Sequence, residues 1–237
     1  MKKIGIIGGM SSVSSAHYYE RINNGVKERL GNIDQTTPTI IMYSVNFGEI
    51  EPLMVEGKWD EIALKMIDIA RKLESIGVDF IVIATNTIHK LFDVIESNIN
   101  IPVIHIADSV SKKCNEEGIK DVGLLGTAYT MREEFLKDRL KKNGLNVIVP
   151  DEDRIDELNR IIFEELCHDK VISKSKEYYK EIIDELSLKY GAKGIILGCT
   201  EIEMLIKKND VSVPIFDTTE AHINDIVDYV TPKKLVK

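Results

Sequence analysis

Short apolar runs alternate along the 237-residue chain with longer stretches in which apolar positions recur every three or four residues. Eight runs read as buried strands because they are short and rich in Ile and Val: Ile4–Ile7, Ile40–Val45, Phe80–Ala84, Val103–Ile106, Val122–Leu125, Val147–Val149, Ile195–Leu197 and Val213–Phe216. Between them lie helical patterns. In Trp59–Ser75 the residues Ile62, Met66, Ile69 and Leu73 share one face, and in Tyr178–Lys189 Ile182, Ile183 and Leu186 do the same. Gly77 and Gly191 follow these two patterns where a helix C-terminus favours glycine. Strand–helix alternation of this kind predicts parallel sheets covered by helices on both faces, an α/β fold.

The pattern also repeats itself. Lys3–Gly8 recurs as Asp121–Gly126 at an offset of 118, Gly77–Asn86 as Gly191–Thr200 at 114, and Ile101–Ile104 as Val213–Phe216 at 112. Three matches in the same order predict two similar halves: residues 1–101 plus 214–237 as a first domain, and 102–213 as a second. Ligands of open α/β sheets bind beyond the carboxyl ends of the strands. The candidate positions are therefore Gly8–Ser12, Thr85–Thr87, Gly126–Thr130 and Cys199–Glu201. If the halves face each other, Thr85 and Cys199 become counterparts on opposite walls of one cleft.

Charge narrows the function classes. Lys and Arg total 31 against 39 Asp and Glu, a net charge of −8, and the basic pairs are scattered. Nucleic acid and anionic membrane are thus not expected partners. No apolar run reaches the length of a membrane span. Three widely spaced cysteines suit neither a disulfide framework nor a zinc knuckle, so a soluble, cytoplasmic protein is expected.

Candidate chemistry thins out quickly. The glycines of Gly5-Ile6-Ile7-Gly8-Gly9 fail the dinucleotide fingerprint at Ile7, although the backbone N–H groups of Gly9–Ser12 suit a carboxylate or phosphate. Neither a phosphate-binding G-x-x-x-x-G-K-[ST] loop nor a G-x-S-x-G elbow occurs, and the five histidines lack metal-ligand spacing, so no metal is expected. Cys199, between a strand and a helical segment, is the most interesting side chain, because a helix N-terminus lowers a thiol's pKa. Cys114 and Cys167 sit in helix-like stretches and read as structural, as does His105. Glu49-Ile50-Glu51 reads as a loop or strand with solvated acids, and Arg132 as a solvated helix residue.

Four motifs resemble the aspartate/glutamate racemase family, which works without pyridoxal phosphate: Ile6-Ile7-Gly8-Gly9-Met10-Ser11, Thr85-Asn86-Thr87-Ile88-His89, Gly126-Thr127-Ala128-Tyr129-Thr130 and Gly198-Cys199-Thr200-Glu201. Tyr18-Tyr19, Asn23, Gly25 and Ile162–Cys167 are similar to the bacterial broad-specificity members. The resemblance implies two pseudo-symmetric α/β domains with the active site between them, no cofactor, a small acidic amino-acid substrate and a homodimer. It also implies that Cys199 and Thr85 are catalytic, and that Met10, Ser11, Asn86, Thr87, Thr127, Thr130, Thr200 and Glu201 bind substrate. Glutamate racemases proper carry Asp-Ser-Gly and Gly-Cys-Thr-His where this chain has Gly9-Met10-Ser11 and Gly198-Cys199-Thr200-Glu201, so the aspartate-side branch fits better.

The chain departs from the broad-specificity members at Ser12-Val13-Ser14-Ser15, where they read Trp-Glu-Ser-Thr, and more seriously at one further position. Most members read Cys-Asn-Thr where this one reads Thr85-Asn86-Thr87. Racemisation removes the α-proton on one face and returns a proton on the other, work that suits two thiols. A threonine hydroxyl does not ionise usefully near neutrality. The expected enzyme is therefore lopsided, with Cys199 the main acid/base, serving the L-enantiomer by family precedent, and Thr85 relaying protons or binding carboxylate. A single cysteine fits two other readings: the decarboxylase and cis-trans isomerase chemistry of the same superfamily, and a protein that binds acidic amino acids without catalysis.

Overall fold

The computed structural model describes residues 1–31 and 35–231. They form two compact units, Met1–His105 with His222–Lys237, and Ile106–Ala221. The expected domains break after 101 and 213 instead, and the last six residues of the first lie outside the described ones.

In unit 1, strand β1 (Ile4–Gly8) leads into helix α1 (Ser12–Arg29), followed by β2 (Ile40–Ser44), α2 (Phe47–Val55), α3 (Trp59–Ser75) and β3 (Phe80–Ile83). A 3-10 turn, Thr87–Leu91, precedes α4 (Phe92–Glu96) and β4 (Val103–Ile104). Unit 2 starts with α5 (Ile106–Glu116), β5 (Asp121–Gly126), α6 (Ala128–Arg132), α7 (Glu134–Lys142), β6 (Asn146–Ile148) and α8 (Glu152–Arg160). It continues with α9 (Ser173–Leu188), β7 (Gly194–Gly198), α10 (Ile202–Leu205) and β8 (Ile215–Asp217). Helix α11 (Thr218–Val230) begins in unit 2 and ends in unit 1.

All eight expected strands form, in two sheets of matching order, as two similar halves require. The sheets run β2-β1-β3-β4 and β6-β5-β7-β8, parallel throughout. Burial of every residue of β1, β3 and β7 explains their Ile and Val content. In unit 1, Ile4, Ile6, Phe80 and Val82 pack against Tyr18, Ile22 and Val26 of α1 and Ile223, Ile226 and Val227 of α11. In unit 2, Leu125, Ile195 and Leu197 pack against Tyr179, Ile182, Ile183 and Leu186 of α9. At roughly 25 cal/mol per Å² of buried apolar surface, these faces supply the main drive for folding.

One local expectation is corrected. Glu49-Ile50-Glu51 lies in α2, not in a loop or strand. The acid–apolar–acid alternation imitates a strand, but Asn46 starts a helix by accepting from the Gly48 N–H at 3.2 Å, and only Ile50 and Met54 of this element are buried. Cys114 is fully buried in α5, where burial pushes its thiol up to about 12, which fits its structural reading. Arg132 is not simply solvated: it binds Glu152 and Asp156, at 2.6 and 2.8 Å.

Candidate active site

In unit 1 the expected site residues lie beyond the carboxyl ends of neighbouring strands β1 and β3. Gly8 still pairs with Ser44, and the chain then turns through Gly9 at φ +92. A β-carbon on Gly9 would lie 2.3 Å from the Val45 carbonyl oxygen, so glycine is required there on two counts. Met10 is buried, and Ser11 caps α1 by accepting from the Ser14 N–H at 3.2 Å. The Gly9 N–H donates to Ser15 Oγ at 2.7 Å, and that hydroxyl donates to the Ser11 carbonyl at 2.9 Å. The Gly9 donor is therefore spent inside the loop, which removes it from the anion-binding set the sequence suggested. Ser14 Oγ donates to the Ala84 carbonyl at 3.1 Å and ties the two loops together.

Thr85 follows, half-buried, with Asn86 and Thr87 buried beside it. His89 folds back so that its Nδ1–H donates to the Thr85 carbonyl at 2.8 Å. Behind it sits an aromatic cluster. The His89 and His105 ring centroids are 4.7 Å apart, and Phe92 lies 4.5 Å from His105. His222 donates from Nε2 to the Ile104 carbonyl at 3.0 Å and accepts from the Tyr18 hydroxyl at Nδ1, 2.9 Å away. Complete burial drives the His222 pKa down to about 3, so the ring is neutral and both its nitrogens are engaged. His105 is thus part of a buried structural cluster.

Unit 2 repeats the arrangement with different side chains. Gly126 and Gly198 end β5 and β7 opposite each other. A β-carbon on Gly126 would come within 2.8 Å of the Thr130 methyl, and one on Gly198 within 3.1 Å. Thr130 has no exposure, and its N–H donates to Thr127 Oγ1, the cap of α6, at 3.3 Å. This cap matches Ser11 with Ser14 in unit 1. The Ala128 N–H donates to Asn159 Oδ1 at 2.8 Å. Asn159 was missed from sequence because it reaches this turn from α8, 31 residues away.

Cys199, Thr200 and Glu201 turn out of β7 into α10. Cys199 Sγ donates to Glu201 Oε2 at 3.0 Å, and Thr200 Oγ1 donates to the same oxygen at 2.6 Å. Glu201 is buried. The thiol does not respond as a helix start would suggest. Burial first, and then the Glu201 carboxylate, raise the Cys199 pKa well above the ordinary value. The helix that follows has four residues, too few to offer a useful dipole against that desolvation. Cys199 therefore rests as a thiol with a carboxylate positioned to take its proton. Cys167 is partly buried against the same apolar cluster.

The structure thus gathers Met10, Ser11, Thr85, Asn86 and Thr87 at one strand end, and Thr127, Thr130, Cys199, Thr200 and Glu201 at the equivalent end of the other unit. Among the described residues, no group of His, Cys, Asp and Glu is arranged to hold a metal ion, and no helix is long and apolar enough to cross a membrane.

Residues 7–226 match the Asp/Glu/hydantoin racemase family. The chain is 27% identical over 219 residues to the broad specificity amino-acid racemase of Bacillus subtilis, covering 91% of this chain and 92% of that one. Among solved structures, a candidate Asp/Glu racemase from Yersinia pestis is 43% identical with a TM-score of 0.90, covering 97% of this chain and 99% of that one. An aspartate racemase homologue from Pyrococcus horikoshii is 36% identical with a TM-score of 0.83, again over 97% and 99% of the two chains.

Proposed function

The chain belongs to the Asp/Glu/hydantoin racemase family, and we propose that it racemises aspartate, glutamate or both without a cofactor, using Cys199 as its main acid/base and Thr85 on the opposite face of the α-carbon. The observation that carries this reading is the hydrogen bond from the Cys199 thiol to the buried Glu201 carboxylate.

The chemistry follows from that contact. To act as a base, Cys199 first passes its proton to Glu201 Oε2, leaving a thiolate. Burial that makes the thiolate costly also makes it strongly basic, which suits a weakly acidic α-proton. The thiolate takes that proton and is again a thiol, while the electron pair of the C–H bond delocalises into the substrate carboxylate. A proton then reaches the other face through the Thr85 hydroxyl, which gives up its own proton and regains one from water. Glu201 returns its proton to solvent, and the balance closes. In the reverse direction the Cys199 thiol protonates the carbanion and Glu201 recharges it. Asn86, Thr87 and the backbone of Thr200, whose hydroxyl is given to Glu201, hold the α-carboxylate with backbone N–H groups near Ser11 and Thr127, where charge grows most. Met10 and Thr130 shape the walls around it.

The test is exchange of the α-proton of each enantiomer of aspartate and glutamate in deuterated water. The expected result is exchange that Cys199→Ser abolishes. Full exchange in Cys199→Ser would refute the assignment of this residue. Turnover of malonate-type or maleate substrates without racemisation would move the protein to the single-cysteine decarboxylases and isomerases.

A further inference from the structure

Helix α6, which carries the turn after β5, is only five residues long, and the chain becomes extended again at Glu133. A helix of that length has no stability of its own. Its counterpart in the repeat, α1, has 18 residues and brings its own brace, Ser15 on the Gly9 N–H. Unit 2 has to hold the equivalent turn from outside, and α8 does so.

Glu152, Asp156 and Asn159 follow one another along α8 at spacings of four and three residues, so they share one stripe of that helix. The stripe meets α6 in the reverse direction. Arg132, the last residue of α6, donates from Nε to Glu152 Oε1 at 2.6 Å and from Nη2 to Asp156 Oδ1 at 2.8 Å. The N–H of Ala128, the first residue of α6, donates to Asn159 Oδ1 at 2.8 Å. Ile155 and Leu158 of α8 are buried in the same apolar cluster as Met131 of α6, with Ala128 packed against it. Apolar contact thus joins the two helices, and the polar stripe sets their register at both ends.

The two ends are not equal. Glu152 and Asp156 are largely exposed, so their ion pairs with Arg132 contribute little to stability in salt. They do commit Arg132, the cation that follows this motif in the sequence, to α8. At the other end the contact is partly buried, and a first-turn N–H has no acceptor inside its own helix. Asn159 supplies that acceptor one residue from Thr127. Thr127 closes the turn itself, through its Oγ1, which accepts from the Thr130 N–H, and its carbonyl, which accepts from the Met131 N–H at 3.0 Å. Loss of the Asn159 oxygen would therefore loosen the turn at the residue beside its cap while leaving the cap bonds themselves in place.

We propose that Asn159 is a positioning residue for the reaction: through the Ala128 N–H it fixes the Thr127 turn, whose backbone N–H groups hold the substrate α-carboxylate. The kinetic part of this rests on the racemase reading; the bracing of Ala128 does not. Donors held in place matter most where charge develops, so the turnover number should suffer more than KM.

The test compares the full chain with Asn159→Leu, Asn159→Asp and Asp156→Asn. It reads kcat and KM for α-proton exchange of whichever aspartate or glutamate enantiomer the wild type exchanges fastest, and deuterium uptake at the Ala128 amide. Asn159→Leu has a similar volume and no acceptor. It should lower kcat about tenfold, keep KM within about threefold and speed deuterium uptake at Ala128 about tenfold. Asn159→Asp keeps an oxygen on the Ala128 N–H and should bring kcat and Ala128 protection back to within about threefold of the wild type. Asp156→Asn, at the exposed end, should leave kcat within about twofold. Should Asn159→Leu not fold, Asn159→Ala carries the same expectations. An unchanged kcat in the folded variant lacking the acceptor would overturn the proposal, and so would an Asn159→Asp no better than that variant. A loss of kcat in Asp156→Asn as large as that in Asn159→Leu would overturn it too, because α8 would then only support the fold. If no protein exchanges the α-proton while Ala128 protection still follows the expected order, the racemase reading fails and the brace stands.

Discussion

The turn after β3 and the turn after β7 share a place in the fold but not a chemistry. Both leave the third strand formed in their unit, next to a loop capped by a hydroxyl at the start of the following helix. Around Thr85 the surroundings are aromatic and imidazole-rich, and two side chains brace the loop through its backbone: His89 at the Thr85 carbonyl, Ser14 at the Ala84 carbonyl. Around Cys199 the surroundings are apolar except for one carboxylate, and that one reaches the side chains themselves, with Glu201 on the thiol and on the Thr200 hydroxyl. One turn is held in shape and the other is supplied with a proton acceptor. The lesson is that an internal repeat preserves backbone geometry while each half is free to change what it does with a proton.

That contrast can be broken at several points. The largest effect is expected from Glu201→Gln, which removes the acceptor: α-proton exchange should fall about 1,000-fold. The same change should make Cys199 more reactive toward iodoacetamide at pH 8, because Glu201 raises the thiol's pKa. A fall in both rates would show that Glu201 only supports the fold. Next comes Gly9→Ala, which should cost unit 1 about 3 kcal/mol, measured by urea unfolding, because the residue sits at positive φ against the Val45 backbone. Cys199 alkylation should be unchanged in that variant.

Thr85→Cys should sharpen the comparison by giving both turns a thiol. The ratio of exchange rates for the two enantiomers should move toward one by about tenfold, read by proton exchange on each enantiomer separately. The last effect, absent at neutral pH and building up only in acid, is expected at His222. Its folded pKa of about 3 lies below its unfolded 6.5, so its contribution is complete above 6.5 and fades as pH falls toward 3. The acid slope of stability should be about 1.4 kcal/mol per pH unit over that window, and His222→Gln should remove it in an acid titration of urea midpoints.

Much of this was legible in the sequence. The eight strands were visible because each is a short apolar run, fully buried in β1, β3 and β7, and the repeat announced two similar halves. Helix α2 was hidden because Glu49 and Glu51 flank Ile50 in strand-like alternation, and only the Asn46 cap reveals the helix. At the site, the positions of Cys199 and Thr85 followed from their place beyond β7 and β3. The direction of the thiol's pKa did not, because it depends on how deeply Sγ is buried and where the Glu201 side chain turns. A contact over a long sequence separation was equally invisible: Tyr18 with His222, 204 residues apart. Glu201 was expected to bind substrate; its hydrogen bond to the thiol is a contact that no spacing rule encodes.

The central claim is that one turn carries the proton chemistry and the other assists it. The most direct measurement follows α-proton exchange of L- and D-aspartate, and of L- and D-glutamate, separately in deuterated water, with the wild type and Cys199→Ser side by side. The account predicts exchange of at least one pair at clearly unequal rates for its two enantiomers, and its loss in Cys199→Ser. Equal rates for the two enantiomers, or exchange that survives the loss of the thiol, would contradict it.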